Sequence, residues 1–308
     1  MAAVMTLEEL RRGLSRRKNL DKLFVVVGLL IMMGCLGLLA LLFLDLVRDG
    51  ASRFGWDFLS QFPSRKAERA GILSAFVGTW MIMLVTAVVS LPVGVAAGIY
   101  LEEYAPKNWF TGIIEINVTN LAGVPSIVYG LLALGLFVYQ FGFGQSVLSA
   151  GLTLALLILP IIIVGTRESL RAVPKAIREA AYGLGATRWE VTKDHVLPYS
   201  TGGILTGLIL GLSRAIGETA PIITIGALSF IAFLPNSPIS GQFPFLNWEW
   251  LWSEFTAMPI QIFNWVSRPD QAFQQNAAAA AAILLGMTLA MNAIAIYIRY
   301  RFRKKINW

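Results

Sequence analysis

The sequence is poor in charged residues, cysteine and histidine, and each shortage excludes a class of protein. Charged residues make up 14% of the 308 positions, whereas a soluble globular chain carries about 25%. Because so few charges cannot cover a water-facing surface, a soluble enzyme, a DNA-binding domain and a disordered chain are excluded. The single cysteine, Cys35, excludes a disulfide framework and a multi-cysteine metal site. The single histidine, His195, argues against a histidine-based metal site or proton relay.

Apolar residues are abundant, and they predict an integral membrane protein. They make up 56% of the chain, and the mean hydropathy is +0.66. The net charge is +7, with a pI near 9.7. In a membrane protein such an excess of positive charge reflects how the chain is oriented in the bilayer and its contact with anionic lipid, rather than nucleic-acid binding.

Long uncharged runs predict an all-α polytopic protein with six spans. A bilayer crossing needs about 20 apolar residues. The runs at 23–44 and 70–101 each supply one span, whereas the run at 116–166 is too long for one helix. Glycine and polar residues at 139–146 divide that run into two spans. The predicted spans are about 23–45, 71–101, 117–138, 147–166, 200–230 and 277–298.

The distribution of basic residues predicts that both termini are cytoplasmic. The segment 1–22 and the tail 301–308 are both basic, and six spans place them on one side. With this orientation, 18 of the 25 lysines and arginines lie inside and six lie outside. The long loop 167–199 is then cytoplasmic, and the loop 231–275 is periplasmic.

The cytoplasmic loop contains a compact motif that begins Glu-Ala-Ala at 179–181. Alanine-rich sequence with flanking charges suits a short amphipathic helix, and Gly185 suits its C-cap. Pro198 is then expected to break the chain just before the fifth span. The residues alone leave two interpretations open. The segment is either an ordinary amphipathic helix beside the membrane or a compact docking element on the inner face of the membrane.

The fifth predicted span contains Arg214 and Glu218, an arginine and a glutamate inside the membrane. A charge near the bilayer centre costs roughly 2.5–3.5 kcal/mol. A spacing of four residues lets the two side chains pair on one helix face. The alternative to a transport role is a buried ion pair that fixes helix packing. Gly203, Gly207 and Gly211, with Ala215, form a stripe of small residues that permits close helix contact.

Arginine in this position suits an oxyanion substrate. A guanidinium matches phosphate with two parallel hydrogen bonds. By hypothesis, Glu218 holds Arg214 when the pathway is empty and accepts a hydrogen bond from a protonated phosphate, which a fully ionised sulfate cannot donate. Thr219, directly after Glu218, and Ser126, in Gly-Val-Pro-Ser of the third span, complete the candidate pathway. For Ser126, a proline kink in a packed helix remains the alternative.

The cytoplasmic motif resembles the EAA loop of ABC importer permeases. The matching positions are Glu179, Ala180, Ala181, Gly185, Leu197 and Pro198. His195 stands where that family has a hydrophobic residue, and the neighbouring Val196 is expected to take that role. The resemblance implies that this loop is a coupling helix, which docks into a groove of an ATP-binding subunit through Glu179 and Gly185.

The stretch from Arg214 to Pro221 resembles the phosphate-specific branch of these permeases, the PstA-type subunits in particular. This resemblance implies a heterodimer with a PstC-type permease subunit, two PstB-type ATP-binding subunits and a periplasmic PstS-type phosphate-binding protein. The sequence has no P-loop, so we expect a non-catalytic chain without a cofactor or metal, with ATP and Mg²⁺ bound in the partner ATPase.

Three other functions compete with a phosphate permease. The first is a permease for another oxyanion, such as sulfate, molybdate or phosphonate. The second is a secondary transporter or channel, which the docking loop argues against. The third is an assembly factor, which the intramembrane pair argues against.

Overall fold

A computed structural model describes residues 7–238 and 247–304, and all regular elements in these ranges are helical. The α-helices are α1 (Leu7–Asp49), α2 (Trp56–Ser60), α3 (Leu73–Ile99), α4 (Trp109–Leu121), α5 (Ser126–Ala133), α6 (Val147–Arg171), α7 (Lys175–Gly183), α8 (Arg188–Glu190), α9 (Leu197–Gly217), α10 (Ala220–Thr224), α11 (Met258–Val266) and α12 (Gln271–Lys304). Short 3₁₀ turns lie at Ala51–Arg53, Ala67–Arg69 and Glu249–Trp252, and π-helical turns at Tyr100–Tyr104, Leu134–Gln140 and Val191–Val196.

Five helices in the described residues are long and apolar enough to cross a membrane. They lie at Leu20–Asp49, Leu73–Tyr104, Val147–Arg171, Arg188–Gly217 and Gln271–Arg301, and the bent pair formed by α4 and α5 is a sixth if it counts as one span. The all-α, polytopic fold class expected from the uncharged runs is therefore confirmed.

The third span differs from the continuous helix expected at 117–138. α4 and α5 are separate helices that meet at 107°. Pro125 lies between them with extended backbone (φ −55°, ψ 135°), and a proline also disfavours helical backbone in the residue before it. The hydroxyl of Tyr129 on α5 donates to the carbonyl of Leu121 at 2.8 Å, which links the two helices across the bend.

The fifth span also differs from the expected segment 200–230. α9 ends at Gly217, and α10 follows as a separate short helix with Pro221 in its first turn. Pro221 was expected to kink the span, but the helix ends before it, and Glu218 and Thr219 separate α9 from α10. At the other end, the expected break at Pro198 is wrong, because one helix runs from Arg188 to Gly217. Pro198 lies in the first turn of α9, directly after the π-helical turn.

α6 lies at the centre of the bundle, against α3 on one side and α9 on the other. Small residues permit both contacts, because a Cβ built on Gly94 of α3 would lie 2.6 Å from Ile162, and one on Gly207 of α9 would lie 3.3 Å from the Cα of Gly165. The glycine stripe on α9 continues this contact, since Gly203 faces Ser169. The stripe therefore packs on α6 as its spacing predicts.

The two ends of the bundle have different structures. At the end formed by the 3₁₀ turns and α11, Arg53 donates to the side chain of Asn276 at 2.6 Å and to the carbonyls of Glu68 and Ala70 at 2.8 Å. Trp265 of α11 is completely buried there. At the opposite end, α7 and α8 lie on the bundle. The spanning helix α1 is separate from this core, because none of the residues in its most apolar window is buried.

Candidate functional site

Arg214 and Glu218 lie at the end of α9, where the span breaks. Arg214 is in the last helical turn, and Glu218 follows the helix in extended conformation (φ −75°, ψ 125°). Nε of Arg214 donates to Oε1 of Glu218 at 3.2 Å. The ion pair expected from the spacing is therefore present, although Glu218 lies beyond the helix rather than on its face. A cation in the last turn also interacts favourably with the helix dipole.

The guanidinium is not enclosed by the chain. The side chain of Arg214 is 38% exposed and that of Glu218 is 19% exposed. One nitrogen atom makes the contact with Glu218, so the outer edge of the guanidinium remains available for a second acceptor. Irregular backbone at membrane depth is tolerated only where it is buried in protein or lines a water-filled cavity. Because Arg214 is partly exposed, the break at 218–219 leaves a charged group accessible from outside the chain.

The helix that follows this break packs on the helix that follows the bend in the third span. A Cβ built on Gly130 of α5 would lie 2.7 Å from the Cα of Pro221 and would overlap the Thr224 hydroxyl. The backbone of α5 therefore contacts α10 directly. Two discontinuous spans thus meet beside the Arg214–Glu218 pair.

Ser126 and Thr219 occupy the two breaks. Ser126 opens α5 and lies one turn before Gly130, so it is on the side of α5 that faces α10. Thr219 links α9 to α10, and its carbonyl accepts from the backbone of Ile223 at 3.0 Å. Within the described ranges, no hydrogen bond joins Ser126 or Thr219 to Arg214. Their helices nevertheless pack directly on each other.

Sequence reasoning missed Asn292, which contacts the residue next to Arg214. Asn292 lies on α12, and its amide oxygen accepts a hydrogen bond from the hydroxyl of Ser213. The same hydroxyl also bonds the carbonyl of Ile209 at 2.7 Å. An asparagine inside an apolar span was the available signal, because polar side chains in a membrane are costly unless they are bonded.

The Glu-Ala-Ala motif lies on α7, with one side buried and the other free. Ala181 is 5% exposed and packs in a small core with Leu170, Val173 and Val191. Glu179 and Ala180 are exposed. One face of α7 is therefore accessible, whereas the opposite face packs on the bundle.

A glycine turn ends α7, as expected. Gly185 has φ +86°, which other residues rarely adopt. Leu184 beside it is 91% exposed. Thr187 then begins the next helix with a capping box, in which its backbone N–H donates to the carboxylate of Glu190 at 2.7 Å.

The remaining motif residues lie where α8 continues into α9. Leu197 and Pro198 form the first turn of α9. Val196 is completely buried, whereas His195 is exposed. Val196 therefore occupies the hydrophobic position that His195 leaves vacant in the motif.

A network of ion pairs at this end of the bundle was not foreseen. Arg167 of α6 pairs with Glu115 of α4 at 2.8 Å and lies 3.6 Å from Glu102 at the end of α3. Arg171 of α6 also pairs with Glu102, at 2.9 Å. In the sequence these arginines contribute only to the count of basic residues on the inner side, because their carboxylate partners are distant along the chain.

Arg178 joins α7 to this network. Its guanidinium binds Glu103 at 2.7 Å, and the side chains are 17% and 8% exposed, respectively. The same guanidinium donates to the carbonyls of Leu170 at 2.8 Å and Val173 at 2.7 Å. One side chain on α7 therefore binds the ends of both α3 and α6.

Comparison with protein families matches residues 90–308 to the family described as "Binding-protein-dependent transport system inner membrane component". The phosphate transport system permease protein PstA of Yersinia pestis is 30% identical over 307 residues, which cover 97% of this chain and 95% of the relative. PstA 1 of Mycobacterium tuberculosis is 31% identical over 230 residues, with 75% of this chain and 71% of the relative covered. The probable ABC transporter permease protein YqgI of Bacillus subtilis is 32% identical over 204 residues, covering 65% and 69%.

Solved structures of ABC importers share the fold. An inward-facing structure of the MetNI methionine ABC transporter matches with a TM-score of 0.54 and 14% identity, covering 75% of this chain and 97% of that one. A bacterial ABC transporter involved in the import of the polysaccharide alginate matches with a TM-score of 0.56 and 12% identity, covering 95% and 98%. The helical arrangement is therefore that of ABC importer permeases.

Proposed function

The chain belongs to the family of binding-protein-dependent transport system inner membrane components, and we propose that it is the PstA-type permease subunit of an ATP-driven phosphate importer. It is a multi-pass component of a transport system and not an enzyme. In this proposal it forms half of the phosphate pathway. The single observation that carries the proposal is the Arg214–Glu218 pair at the break of α9.

Substrate chemistry supports phosphate at this pair. Arg214 is partly exposed at a break where two discontinuous spans meet, and it keeps donors free for an oxyanion. Glu218 holds the guanidinium in place when the pathway is empty and accepts a hydrogen bond from a protonated phosphate when it is occupied. Thr219 and Ser126 supply hydroxyl groups on the two breaks. Relatives named as phosphate transport permeases favour phosphate over sulfate, molybdate or phosphonate.

The proposed assembly follows from the two ends of the bundle. α7 and the turn at Gly185 dock on PstB-type ATP-binding subunits, with exposed Glu179, Ala180 and Leu184 in the contact. A PstC-type subunit completes the permease, and a PstS-type protein delivers phosphate to the opposite end. ATP and Mg²⁺ belong to the ATPase subunits.

The proposal also includes the orientation of the chain in the membrane and its division into segments. The basic N-terminal segment 1–22, the coupling loop 167–199 and the basic tail 301–308 are cytoplasmic. The permease domain is 23–300, and its periplasmic loop is 231–275. Residues 1–6, 239–246 and 305–308 fall outside the described residues.

Phosphate uptake into vesicles tests the proposal directly. The four-component complex is reconstituted with Arg214→Gln at matched assembly and ATP hydrolysis. Because a hydrogen bond to a charged group contributes about 1.5–3 kcal/mol, we expect uptake to fall roughly 10- to 150-fold. Arg65→Gln is the matched control, because Arg65 is exposed at the far end of the bundle and has no side-chain bond within the described residues.

Three outcomes of these uptake measurements would contradict the proposal. Unchanged uptake by Arg214→Gln would reduce the pair to a packing contact. Equal uptake of sulfate, molybdate or phosphonate by the wild-type complex would favour the other oxyanion permeases. Uptake that needs no ATPase subunit would favour a secondary transporter.

A further inference from the structure

A polar cavity lies between the end of α3, the start of α4 and the start of α7. Its volume is about 490 Å³. Lys107 lines it from the link between α3 and α4, Arg171 from α6 and Lys175 from α7. A second cavity, of about 360 Å³, lies beside the first and shares these three cationic residues with it. Neither cavity includes Arg214 or Glu218, so this region is separate from the proposed phosphate pathway.

The positive charge of this cavity is not balanced by its carboxylates. Glu102 and Glu115 also line it, but Arg167 and Arg171 pair with them. Lys107 and Lys175 are exposed, and within residues 7–238 and 247–304 neither makes an ion pair. Two ammonium groups therefore face a cavity whose own two carboxylates are paired with arginines. An anion that enters it meets both.

The depth of the cavity is that of the membrane–water boundary. The uncharged run of α3 ends at Leu101, which lines the cavity, and Glu102 follows it. Trp109 and Phe110 begin α4 beside the cavity, and their side chains are 77% and 58% exposed. Their rings pack edge to face, with centroids 6.2 Å apart. Tryptophan is typical of the headgroup level of a bilayer.

An apolar surface leads from the cavity along α4. Ile113 and Ile116 are exposed one and two turns beyond Trp109, at 46% and 62%. Such a surface suits the acyl chains of a lipid, and the lysines beside it suit its phosphate. The combination of a cationic pocket at the boundary with an apolar wall below it fits a phospholipid better than it fits a soluble anion.

We propose that the cavity of Lys107, Arg171 and Lys175 binds the headgroup of an anionic phospholipid, whose acyl chains lie along α4. Basic pockets between spanning helices bind anionic lipids in this way. Because Lys175 begins α7 and Arg171 holds Glu102, the bound lipid contacts the base of the proposed coupling helix. Lipid retention is measurable without transport, so the test does not depend on the proposed function.

Native mass spectrometry of the purified permease–ATPase complex measures this binding. The complex is exchanged into detergent with phosphatidylglycerol or with phosphatidylcholine. We expect the wild type to retain phosphatidylglycerol selectively and Lys107→Gln/Lys175→Gln to bind it roughly 25- to 30-fold more weakly, about five-fold for each lysine. Lys18→Gln/Lys193→Gln is the matched control, because it removes the same charge from exposed lysines outside the cavity.

Each contrary result overturns the proposal. An equal loss in the control variant would mean that general charge, not the cavity, retains the lipid. Displacement of phosphatidylglycerol by millimolar inorganic phosphate would assign the cavity to free phosphate. Unchanged lipid retention with loss of the ATPase subunit from Lys107→Gln/Lys175→Gln would assign it to a protein contact.

Discussion

The buried pair of Glu103 and Arg178 is expected to hold α7 on the bundle, and Glu103→Gln tests this. The two side chains are 8% and 17% exposed and their charged atoms are 2.7 Å apart. Removing one partner of a buried pair leaves a charge without compensation and costs about 3–5 kcal/mol. Arg178 keeps its bonds to the carbonyls of Leu170 and Val173 in this variant. We therefore expect the lower end of that range, about 3 kcal/mol.

Hydrogen exchange of the loop 167–199 reports this loss locally. If the opening of residues 175–190 becomes easier by about 3 kcal/mol, their amides exchange roughly 150-fold faster, whereas amides in the middle of α6 keep their rates. Asp194→Asn is the control, because Asp194 and Lys193 form an exposed pair at 3.9 Å. Exposed pairs contribute about 0–1 kcal/mol, so exchange in the control changes at most about five-fold.

A double-mutant cycle then separates the pair from the rest of the network. Glu103→Gln, Arg178→Gln and the double variant are compared by the same exchange measurement, and side chains in direct contact show a coupling energy of about 0.5–3 kcal/mol. We expect a value near the upper end because both side chains are largely buried. A coupling energy near zero, or exchange in Glu103→Gln no faster than in Asp194→Asn, would refute the reasoning.

Two further predictions concern glycines. Gly207→Val should destabilise the chain by about 1–3 kcal/mol through overpacking, because a Cβ at 207 already lies 3.3 Å from the Cα of Gly165. Gly202→Val is the control in thermal unfolding, because a Cβ at 202 has nothing within 4 Å. Equal melting temperatures of the two variants would contradict the tight helix contact. Gly185→Ala should cost about 1 kcal/mol of stability because φ is +86°, and it should weaken co-purification of the ATPase. Gly183→Ala is the control, because position 183 has open space and no positive φ. An equal loss of co-purification in both variants would show that the turn is not responsible.

Local patterns in the sequence predicted the features that depend on a few neighbouring residues. The spacing of Arg214 and Glu218 predicted their contact, and Gly185 predicted a C-cap with positive φ. The repeat of small residues on α9 predicted a close helix contact, although not its partner, α6. These features are set by helix geometry and by the conformational freedom of glycine. Both can be inferred from the sequence without knowledge of the tertiary structure.

The breaks and the ion network could not be predicted in the same way. Hydropathy predicts continuous spans at 117–138 and 200–230, because it does not register where backbone hydrogen bonds end. Pro125 and Pro221 were visible signals, but a proline in a membrane helix is also compatible with a mild kink. Glu102 and Arg171 are 69 positions apart, so their pairing depends on how α3 and α6 pack. Asn292 reaches Ser213 from α12 for the same reason.

The loop 167–199 is connected to the Arg214–Glu218 pair by two physical routes. One is covalent, because a single helix runs from Arg188 to Gly217, so α8 and Arg214 are the two ends of a rod about 40 Å long. The other passes through Arg178, which binds the ends of α3 and α6, and then through the contact between Gly165 and Gly207. α7 therefore contacts α6 through Arg178, and α6 in turn contacts α9 through the two glycines. Under the proposed function, this places the mechanical input of an ATPase at one end of α9 and the break beside Glu218 at the other.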